Sequence, residues 1–323
     1  MRRVLICLAA LWSAGPAIAQ TVWRMPTEYP ASAIPGEGIA HFAGLVAAAS
    51  GGRLTIAPSY DAALGIRSGE MIAAVRDGRV EAGDAFGGPL AAVDPIFALS
   101  ALPFAAASLA DAKRLADLAR SGYERVLAAQ GQMLLYTTPW PPTGLRSKEA
   151  VATTDDLRRL SIRTYDATST KVLAGAGAGT VNLSFADAMP KLKEGAINAV
   201  LSSGDGGAGR RLWDLLPHFA EINYAVPLSF ATVSAKAYGA LSPELRGAVD
   251  AAAAATEARQ WAAVLTRLDE NYARMRANGV TIRTEVDPAV AAALREAGRD
   301  AIVEWRRTGG PDAVAVLDAF ERR

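Results

Sequence analysis

Of 323 residues, only one is cysteine, Cys7, and only two are histidine, His41 and His218. If the N-terminal segment is removed the cysteine goes with it, and with it any disulfide framework, zinc–thiolate site or cysteine nucleophile. Neither histidine has metal-ligand spacing or a neighbouring acid–nucleophile arrangement. His41 falls inside a helical pattern and His218 follows a helix end. There is no surplus of charge either: 34 Lys and Arg balance 33 Asp and Glu, which argues against nucleic acid or an anionic membrane as partner. Beyond the N-terminus no apolar run approaches the roughly 20 residues that a bilayer requires. The paired acids Asp155-Asp156 read as a helix start favoured by the dipole, not as an acid/base dyad.

The N-terminus has a pattern of its own. Arg2 and Arg3 form a charged n-region, Val4 to Trp12 is apolar, and Ala17-Ile18-Ala19 is an A-x-A cleavage site before Gln20. Together these describe a secretory signal peptide over residues 1–19, and hence a periplasmic product. Cys7 comes too early for a lipoprotein. Cleavage would leave 32 basic against 33 acidic residues.

The remaining length suggests two domains. Strands expected at Thr21–Met25, Arg53–Ser59 and Val80–Asp84 alternate with helices at Gly36–Ser50 and Ser68–Asp77. After Pro139-Trp140-Pro141-Pro142 the alternation restarts, with strands at Leu160–Thr164, Thr180–Leu183 and Ala196–Leu201 and helices at Thr168–Ala174 and Phe185–Lys193. Such alternation implies βαβ units, mostly parallel sheets and an α/β fold. Consecutive prolines make a stiff extended connection, so this cluster is the expected boundary between lobes. Ser242-Pro243-Glu244 starts a helix with an N-cap, a first-turn proline and an acid at the positive end. Its alanine-rich pattern runs to Asn278 before Gly279. About 36 residues at 1.5 Å each is too long for one small lobe.

Arg146 and Arg163 bracket a short capped helix, and Arg163 ends the alternating strand Leu160-Ser161-Ile162-Arg163. A guanidinium fixed at a strand end is suited to clamp a carboxylate through two parallel hydrogen bonds. A structural ion pair of Arg163 with Asp155, Asp156 or Asp187 is the competing reading. Gly204-Asp205-Gly206-Gly207-Ala208-Gly209 matches the dinucleotide fingerprint G-x-G-x-x-G. Its context is wrong for that role: the strand is the third of its lobe, the next helix is short, and no ribose-binding acid ends a following strand. It reads instead as a tight strand-to-helix turn beside a ligand, which makes Ser202, Ser203 and Asp205 polar candidates. Trp140, Tyr29, Phe86, Tyr165 and Tyr224 are candidate aromatic walls. Asp84, at an expected strand end, is a candidate acceptor for ligand hydroxyls.

The stretch Pro142-Thr143-Gly144-Leu145-Arg146-Ser147-Lys148, followed by Asp155-Asp156-Leu157-Arg158-Arg159-Leu160-Ser161-Ile162-Arg163, resembles the second lobe of DctP-type substrate-binding proteins of tripartite ATP-independent periplasmic (TRAP) transporters. Ser50-Gly51-Gly52-Arg53-Leu54, Leu64-Gly65, Gly78-Arg79-Val80-Glu81, Leu102-Pro103-Phe104 and Leu241-Ser242-Pro243-Glu244 resemble that family in the same order. The resemblance implies a two-lobed periplasmic binding protein fold with a sheet in each lobe. Residues 20–139 would form the first lobe, with part of 228–267 returning to it. Residues 140–227 would form the second, with part of 268–323, and the helix 243–278 would span both. It also implies Arg163 as the main ligand anchor, with contacts from Arg146 and near Ser202. The ligand would be a small organic acid, the partners the TRAP membrane permease subunits, and there would be no cofactor, metal or catalysis. Asn198-Ala199 stands where the family commonly has Asp-Gly, so the resemblance does not name the acid. Two alternatives stay open: a secreted α/β lyase or hydrolase acting on an organic acid, and a sensor subunit for a membrane receptor.

Overall fold

The computed structural model describes residues 20–205 and 210–322; the expected signal peptide and most of the glycine run after Asp205 lie outside them. The chain opens with a βαβ unit, as β1 (Thr21–Pro26) and β2 (Leu54–Ser59) pair in parallel across α1 (Ile34–Ser50). Gly51 ends α1 in the left-handed region at φ 59°, and its N–H returns to the Ala47 and Ala48 carbonyls. Next come α2 (Ser68–Arg76), β3 (Ala82–Phe86), the short α3 (Gly87–Leu90), α4 (Leu109–Ala129) and β4 (Gln132–Pro139).

Past the proline cluster the chain enters a different sheet. It is built from β5 (Thr143–Ser147), β6 (Ser161–Thr164), β7 (Gly179–Asn182), β8 (Ala199–Ser203) and β9 (His218–Ala220), with α5 (Thr154–Arg158), α6 (Ala167–Gly175) and α7 (Phe185–Lys193) between them. β10 (Leu228–Ser234) then returns to the first sheet and lies antiparallel between β3 and β4. β11 (Thr281–Arg283) completes a six-stranded sheet of order β11-β9-β5-β8-β6-β7, in which β5 runs against both its neighbours. The architecture is α/β and two-lobed, with mixed sheets.

The long helix Pro243–Ala277 starts at Ser242, whose hydroxyl accepts from Leu245 N–H, and stops before Gly279 at φ 78°. Val249, Ala252 and Ala253 on it pack with Trp23, Phe42 and Tyr136 of the first lobe. Tyr272 and Met275, six turns further on, pack with Phe219 of the six-stranded sheet. The helix Pro288–Thr308 lies against α6, and the C-terminal helix Gly310–Glu321 places Leu317 and Phe320 in the cluster that holds Phe97 and Phe230 of the first lobe. Among the described residues no helix is long and apolar enough to cross a membrane.

Two strands start two or three residues later than the sequence pattern indicates. β3 begins at Ala82 and not Val80, and β8 at Ala199 and not Ala196. The cause is the same in both: Gly78 (φ 72°) and Gly195 (φ 74°) terminate helices in left-handed turns, and the following residues complete the turn before pairing begins. Val80 N–H still reaches back to Ala74 O at 3.4 Å, and Ala196 N–H to Lys191 O at 2.9 Å.

Candidate functional site

The site lies where the chain crosses between sheets. The proline cluster cannot donate ladder hydrogen bonds, so the crossing is held by the residues around it. Trp140 N–H donates to Pro227 O (2.9 Å), Thr143 N–H to Ala225 O (2.8 Å) and Tyr224 N–H to Thr143 O (2.9 Å). These two connections, 139–143 and 224–228, run side by side and fix Trp140, whose indole N–H donates to Ser229 Oγ at 3.0 Å. Tyr29 meets Trp140 at 4.6 Å between ring centres, and Phe86 meets Tyr165 at 5.1 Å with planes 81° apart. This edge-to-face geometry suits ring quadrupoles and makes a stiff wall.

Around that wall is a small cavity lined by Tyr29, Phe86, Trp140, Tyr165, Phe185 and Leu201, with Thr143, Ser202, Ser203 and Pro227. Its one charged side chain is Arg163, 3% exposed. Nε donates to Leu183 O at 2.9 Å and Nη1 to Leu201 O at 3.3 Å. The guanidinium carbon stands 5.0 Å from the centre of the Phe185 ring. The carboxylates that might have neutralised it are taken: Asp155 pairs with Arg158, Asp156 with Arg159 and Asp187 with Arg67. Among the described residues none pairs with Arg163. Burial lowers its pKa, while Tyr29, Glu28, Tyr165 and Asp166 act to raise it; a guanidinium stays charged in any case. A buried cation facing a cavity, with Nη2 given no acceptor among the described residues, favours an anion there.

Six other expected residues line the same cavity: Tyr29, Phe86, Trp140, Tyr165, Ser202 and Ser203. Four candidates do not. Tyr224 lies behind Tyr165, against Phe104 at 5.6 Å. Asp84 is buried deeper in the first lobe, where it accepts from Thr27 Oγ1 at 2.9 Å; burial pushes its carboxyl up to about 7 against that hydrogen bond. It misses the cavity because β3 continues two residues beyond it to Phe86. Asp205 ties the start of α1 to the long helix. It accepts from Ile34 N–H at the start of α1 (2.7 Å) and from Asn271 Nδ2 (3.1 Å), and it pairs with Arg267 at 3.3 Å.

Arg146 is the fourth and the most instructive. Strand register puts Arg163, Val200, Arg146 and Phe219 in one row, so the two arginines stand two strands, roughly 10 Å, apart. Arg146 is fully buried, with Nη2 on Met275 Sδ and the guanidinium 5.6 Å from the Phe219 ring centre. Burial lowers its pKa to about 10. β5 begins at Thr143, which reaches the cavity, whereas Arg146 lies near the other end of the strand and packs against the long helix. Thr143, Phe185, Leu201 and Pro227 were not singled out from the sequence. Phe185, as the first residue of a helix that follows a strand end, carried the one usable signal.

Residues 26–308 match the DctP family, described as bacterial extracellular solute-binding protein, family 7. Among solved structures, an extracytoplasmic solute receptor of Bordetella pertussis that binds pyroglutamic acid superposes with a TM-score of 0.89 at 28% identity, covering 94% of this chain and 100% of that one. A TRAP solute-binding protein from a marine metagenome, specific for pyroglutamate, superposes at 0.88 and 28% identity, covering 94% and 99%. The sugar acid binding protein of Advenella mimigardefordensis in complex with galactonate, at 0.87 and 19% identity over 94% and 98%, shares the fold. No curated protein sequence matches the chain.

Proposed function

The chain belongs to the DctP family of bacterial extracellular solute-binding proteins, and on that premise we propose that it captures a compact cyclic monocarboxylate, pyroglutamate foremost, between its two lobes. It is a binding protein and not an enzyme. The observation that carries the ligand class is Arg163, a buried guanidinium without an ion-paired carboxylate among the described residues, at a small cavity walled by aromatic rings. Most of the wall is aromatic or aliphatic, and the neutral hydroxyls on it belong to Thr143, Ser202, Ser203, Tyr29 and Tyr165. A sugar acid needs a partner for each hydroxyl, because a buried polar group without one is costly. A lactam acid needs only a clamp for its carboxylate and a few partners for its ring amide. The pyroglutamate receptors at 28% identity support the same choice.

In this reading residues 1–19 direct export to the periplasm and are cleaved before Gln20. Residues 20–139 with part of 228–267 form the first lobe, and 140–227 with part of 268–323 the second. The loaded protein delivers the acid to TRAP permease subunits in the membrane. Titration calorimetry with pyroglutamate, glucuronate, galactonate and a neutral hexose tests the ligand. Pyroglutamate should bind tightest and, at 100 times its dissociation constant, stabilise the fold by about 2.7 kcal/mol. A neutral sugar as the tight ligand would sink the carboxylate clamp. A uronate as the tight ligand would keep the clamp and overturn the compact-ring argument.

A further inference from the structure

Glu28 is a carboxylate that the ligand site does not use, and it is 2% exposed. It sits between the end of β1 and the cavity residue Tyr29. Its Oε2 accepts from Ser68 N–H at 3.0 Å, the first residue of α2 in the first lobe. Its Oε1 accepts from Ala186 N–H at 3.0 Å, the second residue of α7 in the second lobe. A single carboxylate thus sits at the positive ends of two helices, one from each lobe. Burial alone would raise its pKa, yet the two amides and the charge of Arg163 hold it below the ordinary value.

The neighbouring contacts make the same crossing. Arg210 donates through Nη2 to Glu28 O at 2.5 Å, and its Nη1 lies 3.5 Å from Asp61. Arg67 pairs with Asp187 at 2.9 Å, but with side chains 33% and 48% exposed that pair is worth little. Of these side-chain charges only Glu28 is fully withdrawn from water. The residue before Ala186 is Phe185, which lines the cavity and lies under Arg163.

We infer that Glu28 is the positioning residue that holds α7 of the second lobe against the first, keeping Phe185 across the cavity and slowing release of the ligand. The inference rests on closure of the lobes around the ligand proposed above. When the lobes part, Glu28 keeps Ser68, which travels with it, and loses Ala186. Its contribution to the second lobe therefore belongs to the closed state. It should appear in the dissociation rate and not in the stability of the ligand-free protein.

Stopped-flow tryptophan fluorescence with pyroglutamate as the probe tests this on the whole exported chain. A glutamine at position 28 presents one acceptor where two are needed and turns an N–H donor toward another. Glu28→Gln should raise the dissociation rate roughly tenfold or more, the loss of one charge-assisted hydrogen bond, with the association rate unchanged. Ala186→Pro removes the same bond from the other side, and a proline is tolerated in the first helical turn, as Pro35 is in α1. The two variants should show similar increases, and the double variant no more than either alone. Ligand-free melting temperature should not move in Glu28→Gln. An unchanged dissociation rate, additive effects, or a ligand-free melting temperature that falls in step with affinity would each overturn the inference. Failure of the wild type to bind pyroglutamate would overturn the ligand instead; the same kinetics would then be read with the acid that co-purifies, identified by mass spectrometry.

Discussion

Arg163 and Arg146 occupy one row of the six-stranded sheet, and both are withdrawn from water. What differs is the space beside them. Around Arg163 the side chains of two lobes stand back and leave a cavity, while its guanidinium leans on two backbone carbonyls and the Phe185 face. Around Arg146 the end of the long helix closes in, and Phe219, Tyr272, Met275 and Val280 fill the volume. Neither cation forms an ion pair with a carboxylate among the described residues. A buried unpaired charge is therefore no sufficient mark of a ligand site in this fold; the mark is such a charge with room for its counter-ion. Two carboxylates repeat the contrast. Asp205 is engaged between α1 and the long helix, whereas Asp84 is buried with Oδ2 left without a partner and no cavity at hand.

The largest effect on binding should follow from Arg163. Truncating one partner of a buried, hydrogen-bonded charge pair costs about 2–5 kcal/mol. Arg163→Ala should therefore weaken pyroglutamate binding by roughly 30-fold or more, at tenfold per 1.4 kcal/mol. Arg163→Lys should restore part of this, since an ammonium keeps the charge and loses the planar fork. Calorimetry on the two variants reads both numbers. Near-wild-type affinity in a folded Arg163→Ala would make the two arginines equivalent and break the comparison.

Next in size is a loss of stability, not of affinity. Asp205→Ala leaves Ile34 N–H and Asn271 Nδ2 without their acceptor, at about 1–3 kcal/mol for each buried donor. Arg267 is less exposed to the loss because it also pairs with Glu37 at 2.5 Å. Urea unfolding of ligand-free protein should show the drop, with pyroglutamate affinity changed far less. If affinity fell by as much as stability, Asp205 would belong to the ligand site after all.

How much of this was legible in the chain depended on distance along it. The βαβ order, the long helix and the crossing at Pro139–Pro142 follow from local pattern, because caps, glycines and prolines act within a turn of where they stand. Arg163 was legible for the same reason: it lies next to the C-terminal end of its strand, and those ends face the cleft in α/β sheets. Asp84 and Arg146 misled for different reasons. β3 runs two residues past Asp84, which at about 3.3 Å per residue leaves the carboxyl short of the cavity; Arg146 shares a row with Arg163 but stands two strands across from it, against Met275 of the long helix. The antiparallel β10 and the C-terminal helix return from roughly ninety residues away or more, and no local pattern announces that. Glu28 was silent too, since its role lies in Ser68 and Ala186, which converge on it only in the folded chain.

The smallest expected effect is the sharpest test of the comparison. Arg146 has Nε and Nη1 without hydrogen-bond partners among the described residues, and its neighbours are rings and a thioether. Replacing a buried ion by an apolar side chain of similar volume is often neutral or stabilising by about 1–4 kcal/mol. Methionine is close in shape and flexible enough to repack against Met275 and Phe219. Arg146→Met should leave the melting temperature unchanged or higher, and it should change pyroglutamate affinity by less than about threefold, under 1 kcal/mol. The two readouts separate the roles that a buried arginine can play here. If stability rises while affinity falls tenfold or more, Arg146 reaches the ligand in the bound state as an assisting clamp, and the packing beneath the long helix opens when ligand enters. If stability falls and affinity holds, the cation is a structural element of the sheet, balanced by rings and sulfur in place of a carboxylate.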